Sequence, residues 1–199
     1  MLGQRLAALR ERSALVHNIT NYVTVNDCAN ILLACGGSPI MSDEPEEVAD
    51  ITSICSTLNI NIGTLNSKTI EAMYIAGKRA AECSHPIVLD PVGAGASPLR
   101  TQTALGLMNA VHFTVIRGNM SEIKALFAGD VKTKGVDADA SDAITHDSID
   151  EYVRFIKNCA DSYGCIIAAT GKTDIVSDGK KTYVIDNGTS MMSSVSGTG

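Results

Sequence analysis

Short apolar runs alternate with longer segments of helical periodicity, and this alternation most restricts the folds open to the chain. "SPIM", "NINIG", "PIVLD", "HFTVIRG" and "CIIAATG" each read as a strand. The intervening stretches, among them "SKTIEAMYIAGKRAAEC", "PLRTQTALGLMNA", "SEIKALFAG" and "SIDEYVRFIKNCADSYG", read as helices. Two more helices are expected earlier, over "YVTVNDCANILLACG" and over "EPEEVADITSICSTL", the latter with Glu44, Glu46 and Glu47 at its start. Strands that alternate with helices need βαβ crossovers, and hence a mostly parallel sheet with helices on both faces. "PIVLD" is apolar almost throughout, as a strand covered on both faces must be. Near the end, "DIVSDGKKTYVID" reads as two strands joined by an Asp-Gly turn, an antiparallel addition at one edge. No repeat or linker divides residues 1–199, so one α/β domain is expected.

Composition narrows the partners. The chain has 199 residues, 45% of them hydrophobic, and a formal net charge of −6. An acidic balance argues against nucleic acid or an anionic membrane, while backbone amides and one or two cations can still bind a phosphorylated ligand. The six cysteines contain no C-x-x-C pair and sit in apolar segments such as "CANILLAC", which suits reduced thiols rather than disulfides or zinc. "MLGQRLAALRER" alternates apolar and charged positions, and no run approaches the roughly 18 apolar residues of a membrane span. A soluble, cytoplasmic protein is the expectation.

Several apparent motifs fail on spacing. "AATGKTD" contains Gly-Lys-Thr, but the glycine that a P-loop needs five places before Gly171 is Ile166, inside an apolar strand. "GAGAS" follows a strand, but the third glycine of a dinucleotide fingerprint falls on Pro98. His17, His85, His112 and His146 have no metal-ligand spacing and read as structural or surface groups. No G-x-S-x-G elbow supports a serine hydrolase.

In a parallel sheet, chemistry gathers at the carboxyl ends of strands. There the chain places Asp90, then Arg117, Gly118 and Asn119 with Glu122 one turn on, then Thr170 and Gly171, and finally Gly197, Thr198 and Gly199. The set suits phosphoryl transfer. Asp90 and Glu122 can hold Mg²⁺, Arg117 can grip a phosphate, and the amides of the Gly-Thr-Gly turn can neutralise developing charge. A purely structural reading stands beside it, with Asp90 capping a turn before Pro91 and Arg117 paired to Glu122.

The stretches "VHNITNYVTVNDCANILLACGGSPIMS", "LNINIGTL", "PIVLDPVGAGAS", "TVIRGNMSEI", "AATGKTDIVSDG" and "VSGTG" resemble hydroxyethylthiazole kinases, members of the ribokinase-like superfamily. They run from about residue 16 to the last residue, and "RGNMSE" carries the superfamily's N-x-x-E pattern at Asn119 and Glu122. The resemblance implies a ribokinase-like three-layer sandwich. It also implies ATP- and Mg²⁺-dependent phosphorylation of the hydroxyl of 4-methyl-5-(2-hydroxyethyl)thiazole, a salvage step toward thiamine. By position, Met41 and Gly197 correspond to substrate contacts, Arg117 and Thr170 to ATP-binding residues, and Asp90 and Glu122 to residues that organise magnesium and phosphate. The family's enzymes are homotrimers with the thiazole site at subunit boundaries, so Met41 and Gly197 are expected to face each other across chains.

One departure matters. In the resembling family Gly197, Thr198 and Gly199 would form the anion hole, and the residue directly after it, a cysteine, would activate the substrate hydroxyl. Here the sequence stops at Gly199, without that cysteine or the C-terminal helices that would follow. A truncated chain of weak or no activity is the expectation. Two competing readings remain: another ribokinase-like activity, such as a hydroxymethylpyrimidine kinase or a nicotinamide-nucleotide-hydrate dehydratase, and a non-catalytic subunit that binds ligand or joins an oligomer.

Overall fold

The computed structural model describes residues 2–127, 148–186, 188–195 and 197. In chain order the elements are α1 (Leu2–Arg12), β1 (Leu15–Ile19), α2 (Val25–Cys35), β2 (Ser38–Met41), α3 (Val48–Ile54), β3 (Thr57–Asn61) and α4 (Ser67–Glu82). There follow β4 (Ile87–Asp90), α5 (Pro98–Ala110), β5 (Val115–Asn119), α6 (Met120–Phe127), α7 (Ile149–Tyr163), β6 (Ile166–Thr170), β7 (Asp174–Ser177) and β8 (Thr182–Ile185). A 3-10 turn spans Ser190–Ser194. The strands hydrogen-bond in the order β2-β1-β3-β4-β5-β6-β7-β8. This is the mostly parallel α/β architecture that the alternation implies. Two compact units divide the chain: Met1–Val88 with Gly106–His112, and Leu89–Leu105 with Phe113–Gly199.

In the first unit β1 is the pivot, pairing in parallel with β2 on one side and β3 on the other. The sequence reading did not mark this strand, because polar His17 and Asn18 interrupt its apolar run. Both are nonetheless buried. The core beneath is Leu58, Ile60, Ile62, Met73, Ile87 and Leu107, all fully enclosed. α4 contributes its face at positions 69, 72, 73, 76, 77 and 80, the spacing of one buried helical stripe. Gly77 lies on that stripe because a Cβ there would come within 2.9 Å of Val111 Cγ2. The helix expected over "EPEEVADITSICSTL" is shorter than its pattern, since Thr57 and Leu58 already belong to β3.

α4 starts with a reciprocal cap. Asn66 Oδ1 accepts the Thr69 N–H and Thr69 Oγ1 accepts the Asn66 N–H, each at 3.0 Å. Asn66→Ala is expected to cost about 1 kcal/mol of stability, read as a lower denaturation midpoint at unchanged slope. An unchanged midpoint would show that the cap is dispensable.

The second unit packs Leu89, Phe113, Ile116, Ile123, Ile156, Ile167 and Ile175 into its core. α7 presents Tyr152, Phe155, Ile156, Cys159 and Ala160 inward at helical spacing. β5 and β6 are parallel, whereas β6–β7 and β7–β8 are antiparallel, so the expected Asp-Gly hairpin is present at the sheet edge. Gly179 (φ 83°) takes the left-handed turn position, and Asp178 Oδ1 accepts the N–H groups of Lys180 and Lys181. Among the described residues no helix is long and apolar enough to cross a membrane. The polar stretch 131–147, with His146, lies outside the described residues.

Candidate active site

The residues of the second unit that carry chemistry come from four pieces of chain. β4 ends on Asp90, and the glycine-rich loop 91–97 follows. Along β5 the alternation buries Ile116 and Gly118 and leaves Val115, Arg117 and Asn119 half-buried on the other side. Arg117 therefore shares a side with Asn119, where α6 begins. Its Nη1 lies 3.5 Å from Asp90 Oδ2, in an ion pair whose side chains are 32% and 18% exposed respectively.

The Asn119-x-x-Glu122 spacing builds a capping box. Asn119 Oδ1 accepts the Glu122 N–H at 2.9 Å, and Glu122 Oε2 accepts the Asn119 N–H at 2.8 Å. The other carboxylate oxygen, Oε1, accepts the Gly93 N–H at 2.7 Å. One buried carboxylate thus fastens both the start of α6 and the glycine-rich loop after β4. Gly118 belongs to the same packing, because a Cβ there would stand 3.0 Å from Glu122 Oε2 and 3.4 Å from Pro91 Cγ. Thr170, at the end of β6, pairs in register with Asn119 and donates its hydroxyl to the Gly118 carbonyl at 3.3 Å.

Asp90, Arg117, Glu122 and Thr170 are therefore brought together within one unit. The structural alternative is corrected on one point. Arg117 forms its ion pair with Asp90, and Glu122 engages backbone amides through both oxygens. Gly197 has φ 83° and is exposed, in the left-handed region that suits glycine. The run before it forms the 3-10 turn Ser190–Ser194. Thr198 and Gly199 lie outside the described residues.

In the first unit Met41 ends β2, half-buried and opposite Asn18 in register. From Asn18 onward, β1 and β3 carry a set of hydrogen-bonded asparagines that spacing alone did not single out. Asn59 Nδ2 donates to Asn18 Oδ1 at 3.2 Å, and Asn21 Nδ2 donates to Asn61 Oδ1 at 3.1 Å. Asn21 Oδ1 also accepts the N–H groups of Val23 and Thr24, while Asn61 Oδ1 accepts the Gly63 N–H. These amides tie the loop after β1 to the loop after β3, and a Cβ on Gly63 would meet Asn21 Cβ at 2.9 Å. The available signal was the repeated Asn in "HNITN" and "NIN", polar residues placed at the ends of otherwise apolar runs.

All six cysteines are free thiols. Burial pushes the Cys165 thiol up to about 12 and also raises Cys55, so neither is suited to act as a base. Among the described residues no group of three or more His, Cys, Asp and Glu could hold a metal ion. Mg²⁺ does not require such a cage, since it binds through one or two carboxylates together with phosphate oxygens.

The profile of the hydroxyethylthiazole kinase family matches residues 6–199. Hydroxyethylthiazole kinase of Clostridium acetobutylicum is 58% identical over 199 residues, covering all of this chain and 73% of its own length. The enzyme of the same name from Clostridium beijerinckii is 54% identical, with 71% of its length covered. A solved structure of hydroxyethylthiazole kinase protein from Pyrococcus horikoshii OT3 superimposes with a TM-score of 0.85 at 37% identity, over 98% of this chain and 70% of that one. With a family profile spanning nearly every residue and relatives above half identity, the chain belongs to the hydroxyethylthiazole kinase family.

Proposed function

We propose that this protein phosphorylates the hydroxyl of 4-methyl-5-(2-hydroxyethyl)thiazole from ATP, a salvage step toward thiamine. The observation that carries this reading is the cluster of Asp90, Arg117 and Glu122 with the Gly93 loop in the second unit. Arg117 and Thr170 bind the nucleotide, with the guanidinium moving from Asp90 to a phosphate when one arrives. Asp90 and Glu122 fit Mg²⁺ carried in on the nucleotide. Asp90 and Glu122 would hold the ion directly or through water, Glu122 from a carboxylate that also accepts the Gly93 and Asn119 amides. When bound, the ion neutralises charge on the phosphate oxygens. Gly197, Thr198 and Gly199 supply amides to the transferred group, and Met41 and Gly197 contact the thiazole.

The same reading includes a homotrimer. α2 has no buried residue, and its Ile31 and Leu33 are 62% and 57% exposed, apolar side chains left in the open that contact with another copy would cover. Free thiols suit the reducing cytoplasm.

The test is ATP-dependent phosphorylation of the thiazole alcohol, followed by mass spectrometry of the product. It is run on the 199-residue chain and on one continued past Gly199 by the remaining length of a Clostridium relative. Phosphate transfer by either supports the reading. No transfer by both, with both folded and oligomeric state measured, overturns it.

A further inference from the structure

His17 lies in the middle of β1 with no exposed surface. Its Nε2 is 2.9 Å from the Ser42 carbonyl, and its Nδ1 is 2.9 Å from Thr52 Oγ1 on α3. Ser42 directly follows Met41, the residue proposed above to contact the thiazole. A carbonyl only accepts, so Nε2 must carry the hydrogen and donate it, which assigns the tautomer. With a neutral ring Nδ1 then accepts, and the Thr52 hydroxyl can supply the proton. That hydroxyl also lies 2.7 Å from the Val48 carbonyl, its alternative acceptor on the preceding turn of α3. Beyond the carbonyl, Ser42 Oγ donates to Glu47 Oε1, so the segment leaving β2 is held at both its backbone and its side chain.

We infer that His17 is a positioning residue for the substrate end of β2: its Nε2–H fixes the Ser42 carbonyl and thereby the direction in which Met41 faces. The ring has no exposed surface and both of its nitrogens are engaged within the protein, so its role runs through the Ser42 backbone. In register His17 is opposite Ile40 and Asn18 opposite Met41, so the His17 ring reaches forward to the carbonyl just past the end of the neighbouring strand. Burial lowers the imidazole pKa, against the opposing effects of the Ser42 carbonyl and the Glu47 charge, and so favours the neutral ring that this hydrogen bonding describes. The proposal rests on the thiazole reading for its functional consequence but not for its geometry.

Two substitutions separate positioning from core filling. His17→Gln places an N–H near the position of Nε2, and His17→Asn places one near Nδ1. With turnover or calorimetry as readout, His17→Asn is expected to weaken thiazole binding about three- to tenfold, the effect of one lost hydrogen bond, with kcat less affected. His17→Gln is expected to restore most of that affinity. Equal losses in the two variants, tracking their stabilities, would overturn the proposal. Amide exchange across residues 42–47 is measured alongside, and is expected to rise in His17→Asn and stay near wild type in His17→Gln. If the wild-type protein binds no thiazole, the functional reading fails while the exchange arm still decides the role of His17. Nitrogen-15 spectra of the wild-type imidazole provide an arm independent of any variant: a protonated Nε2 is expected, and a ring protonated only at Nδ1 would sink the assignment.

Discussion

Glu122→Ala is expected to destabilise the protein by about 1–3 kcal/mol, the cost of leaving two half-buried backbone donors without their acceptor. The donors are the Gly93 and Asn119 N–H groups, one from the loop after β4 and the other at the N-terminus of α6. Glu122 as a residue is only 9% exposed, so water reaches its carboxylate poorly. Glu122→Gln recovers only part of the loss. Its single carbonyl oxygen can serve one amide, while its NH₂ group is turned toward the other donor. Denaturant unfolding of wild type, Ala and Gln variants tests the order wild type, then Gln, then Ala. A change within about 0.5 kcal/mol for Ala would place Glu122 among ordinary surface positions and remove the clamp from the account. The same variant should also weaken Mg²⁺-nucleotide binding, because the loop that carries Gly93 would no longer be held against α6.

Asp90→Asn tests the charge rather than the framework. The substitution keeps the shape beside Arg117 and removes the carboxylate from the ion pair. If Asp90 helps hold the metal that arrives with the nucleotide, affinity for Mg²⁺-ATP should fall on the order of 10–100-fold, as is usual when a metal site loses an anionic supporting group. Affinity for ATP in the presence of a chelator should hold or rise, since Arg117 is released and one negative charge is removed from near the phosphates. Calorimetry with and without Mg²⁺ distinguishes these cases. Equal losses in both conditions would mean that Asp90 serves mainly to hold Arg117.

The contrast between the two carboxylates follows from what surrounds them. Both sit near strand ends, and both were candidates for the same ion on residue type alone. Glu122 is fastened by backbone amides on each oxygen, which makes it a structural post for the loop. Asp90 instead faces the Arg117 guanidinium. The N-x-x-E pattern is thus a helix cap first, and its chemistry is built upon that cap.

Much of the architecture was legible because hydrophobic period is a local property. The runs around Leu89, Ile116 and Ile167 could be read as buried strands without knowing their partners, and the α7 stripe of Tyr152, Phe155, Ile156 and Cys159 could be read as one helix face. The Asp178-Gly179 hairpin was likewise local, since a left-handed position next to an Asp turn needs only adjacent residues. β1 escaped notice for the converse reason. His17 and Asn18 look like solvent-facing residues until Ser42, Thr52 and Asn59 are brought alongside them to satisfy their hydrogen bonds.

By itself, then, the sequence determined the alternating α/β order, the strand ends on which Asp90 and Thr170 fall, and the capping spacing of Asn119 and Glu122, whereas Arg117, expected just past its strand, lies in the middle of β5. Only the tertiary structure decided which partners those groups take: Arg117 with Asp90, Glu122 with Gly93, and His17 with the carbonyl after Met41. Each of those pairs joins residues more than twenty positions apart. Side-chain partnership over such distances is set by strand order and register, which no local pattern of residues encodes.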